Sequence, residues 1–376
     1  MRRLTVVQLL PALASGGVER STLEITEALV RAGHRAIVVS AGGRLVPSLQ
    51  QIGGEHITLD IGRKSPWTLR HVGALRRLFV QERVDIVHAR SRLTAWLGWL
   101  ALRGIEQRKR PVFVTTVHGL NSPSRYSAIM ARGDGVICVS DTVREYVLHQ
   151  YPRTDPGKLR VIPRGIDPLA FPRVDQPDAA LRASFASEHP ALAGSGPLLL
   201  LPGRGTRLKG HADALALLAA LRGDDIDARL WMLGTREAGR DRYIAELEQQ
   251  AASLGIADAL AITPPTAKIA EAYAACDMVL QLSRKPEAFG RTVIEALSVG
   301  RPVLGWAHGG VGELLHELQP QGAVTPFDID ALFAVAKSML AQPLLAHSPV
   351  PPANMPYTLH AMQDATLAVY DELVSS

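Results

Sequence analysis

Short apolar runs that are typical of buried strands alternate with helical patterns along almost the whole chain. In the first half these runs are LTVVQLL, RAIVVSA, VDIVHAR, PVFVTTVHG, GVICVS and LRVIPRG. In the second half they are PLLLLPG, ARLWMLG, ALAITPP, DMVLQLS and RPVLGWA. Buried strands separated by helices predict a parallel sheet that is covered on both faces. Because this periodicity disappears over the proline-rich stretch from Asp167 to Pro197, we predict an α/β protein with two Rossmann-like domains.

The predicted domain limits are residues 1–170 for the first domain and residues 171–356 for the second. A second proline-rich stretch, from Gln342 to Pro356, precedes a last helix from Leu359 to Leu373. We expect this helix, in a segment 357–376, to cross back and pack on the first domain. The other predicted helices are Glu19 to Ala32, Pro66 to Glu82, Leu93 to Leu102, Lys209 to Leu221, Arg240 to Leu254, Ala267 to Ala275 and Thr292 to Val299. Neither half contains the glycine fingerprint of dinucleotide-binding proteins or a P-loop.

The composition is that of a globular protein in a reducing compartment. The chain has 376 residues, of which 47% are apolar and 20% charged, and only two cysteines, too few for a disulfide framework. We predict that Cys138 and Cys276 are small buried apolar side chains. The N-terminus resembles a signal peptide, but it runs directly into a strand, loop and helix pattern, so we predict a cytoplasmic protein.

Positive charge is concentrated in the first half of the chain. Residues 1–170 carry 25 Lys and Arg against 13 Asp and Glu, a net charge of +12, whereas the remainder carries −7. Within this half, RKSPWTLRHVGALRRLF combines apolar and basic residues. This stretch predicts either a peripheral contact with anionic lipid or phosphorylated glycolipid, or an ordinary sheet-covering helix with a solvated basic face. No nucleic-acid partner is predicted.

Glycine-rich and charged loops follow several predicted strands, where open α/β sheets bind their ligands. Gly16 and Gly17 follow the first strand. They indicate either an anion-binding loop at the start of the next helix or an ordinary turn. The loop GRGTRLKG places Arg204 and Lys209 on two sides of one turn, which suits a pyrophosphate or else a solvated basic loop. His118 ends the strand in TTVHG and is either structural or close to a ligand.

The stretch KPEAFGRTVIEALSVG carries two glutamates, Glu287 in a loop and Glu295 about one turn inside the helix that follows Gly290. They are eight positions apart along a loop and a helical turn, so they should reach two depths of one site rather than share a proton. Further on, Gly309 and Gly310 lie between a strand and a helix and form a second candidate anion nest.

These motifs, in this order and over almost the whole chain, resemble the retaining family-4 glycosyltransferases of GT-B fold, in which two Rossmann-like domains face each other across a cleft. The resembling segments are GGVER, TTVHG, VICVS, GRGTRLKG, EAFGRTVIE and HGGVGEL. The resemblance implies metal-independent transfer of a sugar from a nucleotide diphosphate sugar, with a UDP-sugar as the expected donor. It implies no cofactor, because the nucleotide sugar is a substrate.

The resemblance also implies roles for individual residues. Glu287 would lie by the sugar hydroxyls and Glu295 by the ribose hydroxyls, while Arg204 and Lys209 would neutralise the diphosphate. The remaining implied positions are His118 by the reacting face of the sugar, Gly16 and Gly17 over the phosphates, Thr263 to Pro265 at the base, and the Ala288, Phe289, Gly290, Arg291 and Thr292 segment at the sugar or its phosphates.

Three residues depart from the family pattern. Arg164 stands where relatives often have asparagine, and Arg291 and Thr292 replace residues that are often apolar. These departures bear on the choice of donor.

The segments VQLLPALASGGVERSTLE and HARSR look most like enzymes of lipopolysaccharide assembly. This resemblance implies a phosphorylated core oligosaccharide or another glycolipid as the acceptor and the inner face of the cytoplasmic membrane as the workplace. The alternatives are a nucleotide-sugar epimerase of the same fold and a non-catalytic nucleotide-sugar-binding protein. A nicotinamide oxidoreductase is disfavoured by the missing glycine fingerprint.

Overall fold

The structure, a computed structural model, describes residues 2–14, 16–341 and 355–375. The chain divides into two compact units at Arg164/Gly165 and again at Thr358/Leu359. The first unit contains the N-terminal part of the chain and its last helix, and the second contains everything between them. Most of the predicted connection from Gln342 to Pro356 lies outside the described residues.

The first unit is built on a parallel sheet whose strands, among the described residues, lie in the order β3-β2-β1-β4-β5-β6-β7. The strands are β1 Thr5–Leu9, β2 Arg35–Ser40, β3 Glu55–Thr58, β4 Ile86–Ala89, β5 Val112–Val117, β6 Gly135–Cys138 and β7 Leu159–Val161. The α-helices are α1 Gly17–Arg31, α2 Val46–Gln51, α3 His71–Gln81, α4 Arg92–Arg103 and α5 Asp141–Gln150.

The second unit repeats this plan with strands in the order β10-β9-β8-β11-β12-β13, again all parallel. The strands are β8 Leu198–Pro202, β9 Arg229–Leu233, β10 Leu260–Thr263, β11 Met278–Gln281, β12 Val303–Trp306 and β13 Ala323–Val324. The α-helices are α6 Ala179–Glu188, α7 His211–Gly223, α8 Asp241–Ser253, α9 Ile269–Ala275, α10 Arg291–Val299, α11 Gly309–Leu318 and α12 Ile329–Leu340.

Short 3₁₀ helices connect these elements. They are Pro66–Arg70, Gln107–Lys109, Ser127–Ala131, Pro156–Lys158, Pro190–Leu192, Arg207–Lys209, Ala257–Ala259 and Pro320–Gly322. The predicted helix around Pro66 to Glu82 is present: it begins with the 3₁₀ turn Pro66–Arg70, whose Trp67 and Leu69 are exposed, and continues directly into α3. The inner face of α3 is ordinary core, with Leu75 and Phe79 fully buried.

The last helix, α13 Leu359–Ser375, belongs to the first unit. Its Met362, Val369 and Tyr370 are buried in one cluster with Leu4 and Val6 of the first strand region. Burial of apolar side chains from a distant part of the sequence explains why this helix returns to the first sheet. The prediction of a C-terminal helix crossing back to the first domain is confirmed.

Cys138 and Cys276 are fully buried, and burial raises the pKa of each thiol. Both are therefore inert apolar fillers, as predicted. Across the described residues, none of the helices combines the length and the apolarity that crossing a membrane requires.

Candidate functional site

The strand order of the second sheet places two of the predicted loops next to each other. Strands β8 and β11 are neighbours, and the chain leaves β8 toward β9 on one side and leaves β11 toward β12 on the other. This is the topological switch point, where a crevice opens beyond the carboxyl ends of the strands. The loop after β8 carries Arg204 and Lys209, and the loop after β11 carries Glu287.

These two loops approach each other closely because of Gly210. Its φ of +76° is left-handed, and a Cβ atom there would lie 2.0 Å from the carbonyl oxygen of Leu282. The Arg284 amide also donates to the Leu208 carbonyl at 2.8 Å, and the Arg284 guanidinium pairs with the buried Asp213 of α7 at 2.5 Å. Only glycine therefore allows the two loops to join at this point.

Lys209 and Glu287 form an ion pair across the joined loops. The Nζ to Oε1 distance is 2.6 Å, and the two side chains are 27% and 25% exposed. The Ser283 hydroxyl donates to the same oxygen of Glu287. Burial opposes ionisation of Glu287, yet the Lys209 charge and these hydrogen bonds outweigh it and hold the carboxyl pKa below its usual value. The pair is therefore charged at neutral pH.

Arg204 lies five residues before Lys209 in the same loop, and its side chain is exposed. Its guanidinium makes no hydrogen bond or ion pair with any residue that the structure describes. An exposed guanidinium beside a partly buried ammonium provides positive charge to an anionic group at this edge of the sheet.

Glu295 lies deeper, one turn inside α10. The helix begins at Arg291 after Gly290, which has a φ of +107°, and Glu295 is only 8% exposed. Its Oε2 accepts a hydrogen bond of 3.1 Å from the hydroxyl of Tyr273. Burial and then the Glu295 charge raise the pKa of Tyr273, so this tyrosine remains a donor. The two glutamates do not pair with each other, and they occupy two depths as the sequence predicts.

Gly309 and Gly310 do not form the free anion nest that was expected. The amide of Gly310 donates to the carbonyl of Glu287 at 2.8 Å, and Gly309 forms an isolated parallel bridge with Glu287. A Cβ at Gly310 would lie 2.5 Å from the Cα of Phe289. The two glycines therefore let the start of α11 pack directly against the Glu287 loop. The expectation fails because the Gly310 amide already has a protein acceptor.

The residues between the two glutamates line the start of α10. Ala288, Arg291 and Thr292 are half-buried, whereas Phe289 is 6% exposed and packs edge-on against Tyr357 at 5.7 Å. This aromatic contact holds the loop between β11 and α10 in place. The backbone groups of Ala288 to Arg291 are thereby fixed in position for contact with a ligand.

Thr263 and Pro265 follow β10 at the same edge of the sheet. Thr263 is buried, its hydroxyl accepts from the Trp231 indole at 2.8 Å, and its carbonyl accepts from the Gly234 and Arg236 amides. Pro265 is exposed and has no amide proton. A base contact at this position can use the carbonyl of Pro264 or Pro265 or groups beyond them, and the base-binding role stays a prediction.

The other predicted residues belong to the first unit. Gly16, with a φ of +139°, precedes the first residue of α1, Gly17, where a Cβ would meet open space. His118 follows β5 and accepts a hydrogen bond at Nδ1 from Arg164, which is buried.

Sequence reasoning missed Ser283, His308 and His211. The Nε2–H of His308 donates to the Ser283 carbonyl at 2.7 Å, so this histidine holds the loop that carries Glu287. His211 is fully buried directly behind Lys209. Their positions in the sequence could have indicated them. Ser283 and His308 lie next to predicted motifs, and His211 directly follows Lys209 and Gly210.

Two family models match the chain. Residues 15–168 match Glycosyltransferase Family 4, and residues 185–351 match Glycosyl transferases group 1. Together the matches cover most of the chain. The first part of the chain therefore matches a family 4 glycosyltransferase domain, and the second part matches a group 1 glycosyltransferase domain.

Individual proteins agree with this assignment. A D-inositol 3-phosphate glycosyltransferase of Xylanimonas cellulosilytica is 30% identical over 249 residues, which are 60% of this chain and 56% of that protein. The chain thus spans little more than half the length of this curated relative. A glycosyltransferase of Rickettsia africae has 26% identity, a TM-score of 0.87 and full coverage of both chains. Alr3699/HepE of Anabaena, solved with UDP and glucose, has 19% identity, a TM-score of 0.80 and coverage of 98% and 100%. The predicted GT-B class of fold is confirmed.

Proposed function

We propose that this protein transfers a sugar from a nucleotide diphosphate sugar to a hydroxyl of an acceptor. One observation carries this proposal. Lys209 and Glu287 meet at the switch point of the second sheet, and Glu295 lies one helical turn deeper. Such a donor has three successive parts: a sugar, a diphosphate and a ribose. Glu287 matches the sugar hydroxyls, Lys209 the diphosphate, and Glu295 the ribose hydroxyls.

The roles follow from the charge that develops during transfer. Cleavage of the sugar–phosphate bond leaves negative charge on the diphosphate, and fixed cations stabilise it. We assign this role to Lys209 and Arg204. Because Lys209 is paired with Glu287 before the donor binds, a bound diphosphate competes for the ammonium while the carboxylate turns to sugar hydroxyls. Glu295 takes the ribose hydroxyls, and its bond from Tyr273 orients it.

UDP is the proposed nucleotide of the donor. Support comes from the similarity of fold to Alr3699/HepE, which was solved with UDP and glucose. Gly16, Gly17, His118 and the base contacts at Thr263 and Pro265 keep the roles that the family resemblance implies.

Retention of the anomeric configuration and independence from metal are also parts of the proposal. Both rest on the resemblance, and the positive charge of Lys209 and Arg204 supplies what a metal would otherwise provide. Turnover is expected to be the same in EDTA as in magnesium, and a loss of turnover in EDTA that magnesium restores would contradict metal independence.

For the acceptor we propose a phosphorylated glycan or glycolipid, with the lipopolysaccharide core as the specific candidate. The net positive charge of the first 170 residues supports an anionic acceptor. A relative whose name specifies D-inositol 3-phosphate supports a phosphorylated one.

We also propose peripheral contact with an anionic membrane through the 3₁₀ helix Pro66–Arg70. Trp67 and Leu69 are 78% and 57% exposed, and the neighbouring Arg63, Lys64 and Arg70 are exposed as well. Large apolar side chains inside a group of basic ones match the interface of an anionic bilayer. A hollow of about 300 Å³ beside Trp67 is lined by Arg63 and Arg70 and also by the acidic Asp60, so basic side chains outnumber acidic ones there.

Vesicle sedimentation tests this contact. The wild type is expected to sediment with vesicles that contain phosphatidylglycerol and not with pure phosphatidylcholine, and Trp67→Ser with Leu69→Ser is expected to abolish sedimentation. Leu169→Ser is the matched control, since Leu169 is 88% exposed in the second unit. Equal sedimentation of the double variant and the wild type would contradict the proposal.

Nucleotide-sugar binding and turnover test the function itself. A panel of nucleotide sugars is screened by thermal shift, and nucleotide release is then measured with and without a membrane glycolipid extract. At least one donor should raise the melting temperature, and the acceptor extract should accelerate release. The assignment fails if no nucleotide sugar shifts melting, or if Glu287→Ala releases nucleotide at the wild-type rate.

A further inference from the structure

Arg164 lies inside the first unit, although arginine is rarely buried. It is 9% exposed, and its contacts include residues of α1 and α13 and His118. Its Nη1 donates to the Ser21 hydroxyl of α1 at 3.1 Å and contacts the Met362 sulfur of α13 at 3.7 Å. Its Nη2 lies 2.8 Å from Nδ1 of His118. The guanidinium is therefore held from two helices while it faces the imidazole.

This contact determines where the imidazole carries its proton. A guanidinium has only donors, so Nδ1 of His118 must be the acceptor and carries no hydrogen. The neutral ring then bears its proton on Nε2. A second proton on Nδ1 would require breaking this hydrogen bond next to a fixed positive charge. We propose that Arg164 is a positioning residue that holds His118 as the neutral tautomer with Nε2–H.

The consequence is a donor at Nε2 rather than a base. In a Ser-His-Asp arrangement a carboxylate accepts from Nδ1–H, which leaves Nε2 free to take a proton. At His118 the direction of the hydrogen bond at Nδ1 is reversed, because the Arg164 guanidinium donates to this nitrogen. In this tautomer Nε2–H is a hydrogen-bond donor, so His118 cannot deprotonate the acceptor hydroxyl. This consequence for transfer rests on the proposed function, whereas the tautomer does not.

A second arginine stabilises the arrangement. Arg90, which follows β4 and is 2% exposed, donates to the Ser21 hydroxyl at 3.2 Å and to the Gln8 side chain at 2.7 Å. Ser21 thus accepts from both guanidinium groups, and their positions are linked. An amide side chain such as asparagine at position 164 could both donate and accept, so it would not impose one tautomer.

Nitrogen NMR of the full chain tests the tautomer without any substrate. Ring-¹⁵N histidine is incorporated, and His118→Gln identifies the His118 signals among those of the 12 histidines. At pH 7.5 the wild type is expected to show an unprotonated Nδ1 and a protonated Nε2. Arg164→Met, which keeps the length and removes the donor, is expected to show tautomer exchange or a doubly protonated ring. Arg164→Lys restores a donor and should return the pattern toward the wild type.

Two results would overturn the proposal. One is a protonated Nδ1 in the wild type, and this outcome stands even if Arg164→Met does not fold. The other is an unchanged His118 spectrum in a folded Arg164→Met protein.

Kinetics separate this proposal from the proposed function. Arg164→Met is expected to lower kcat on the order of tenfold, with less change in the donor KM, because one charge-assisted hydrogen bond is lost. Arg160→Met, which removes an arginine paired with Glu372 on the surface of the same unit, is the control and should keep the wild-type kcat. If the wild type turns over no nucleotide sugar, the proposed function fails while the NMR result still decides the tautomer.

Discussion

Because His211 is buried, we expect the free energy of unfolding of the second unit to fall measurably between pH 7 and pH 5. Its Nε2–H donates to the Thr235 hydroxyl at 3.0 Å, and Thr235 donates onward to the Gly203 carbonyl at 3.2 Å. Nδ1 accepts from the Tyr243 hydroxyl at 3.2 Å. Both ring nitrogens are thus satisfied in the neutral form, directly behind the Lys209 loop.

Burial, with a smaller contribution from the Lys209 charge and against an opposing backbone contribution from Thr206, lowers the pKa of His211 to about 4. In the unfolded chain the pKa is about 6.5. Between these values the unfolded state binds the proton and the folded state does not. The stabilisation is therefore complete above pH 6.5 and is lost as the pH falls. Linkage gives a loss of about 2 kcal/mol between pH 7 and pH 5, and about 3 kcal/mol below pH 4.

Urea unfolding of the wild type and of His211→Gln at pH 7 and pH 5 measures this loss. The variant is expected to be less stable at pH 7 because its hydrogen bonds are poorer, but the difference should shrink by about 2 kcal/mol at pH 5. His360→Gln is the control, because His360 is 74% exposed and its pairing with Asp364 lies on the surface, where an ion pair contributes little. The buried His88, whose pKa is also lowered by burial, is common to all variants and cancels. If the difference in free energy of unfolding between wild type and variant were the same at both pH values, His211 would not be the source of the pH dependence.

Three further predictions concern the candidate site. Glu295→Ala is expected to weaken UDP binding by about 10- to 100-fold in calorimetry, since a charged group that accepts hydrogen bonds from the nucleotide is lost, and unchanged affinity would exclude the ribose role. Glu287→Gln should lower kcat on the order of 100-fold while UDP affinity changes little, and the reverse split would argue against a sugar contact. Gly310→Ala should lower both Tm and turnover, because its Cβ would lie 2.5 Å from Phe289, whereas Gly223→Ala, with open space around it, should change neither.

Much of the fold could be predicted because buried parallel strands are continuous apolar runs. Helix α8 begins and ends within one residue of its predicted limits, as do α10 and the start of α13. Strand β3 was missed because none of its four residues is buried, three of them are polar, and it pairs with the sheet on one side only. The 3₁₀ form of the first turn before α3 was not predicted, because the apolar periodicity continues from Pro66–Arg70 into α3. Tertiary packing alone decides that Trp67 is exposed whereas Leu75 is buried.

The candidate site was predictable as a set of motifs and not as a set of contacts. The sequence alone determined the two Rossmann-like series, the positions of Glu287 and Glu295 in loop and helix, and the basic loop with Lys209, because each depends on periodicity or spacing along the chain. Only the tertiary structure decided that Lys209 pairs with Glu287, that the Gly310 amide is already bonded, and that Arg164 donates to His118. Each of these contacts joins residues that are at least 23 positions apart, so it depends on which strands are neighbours in the sheet. Local propensity contains no information about that order.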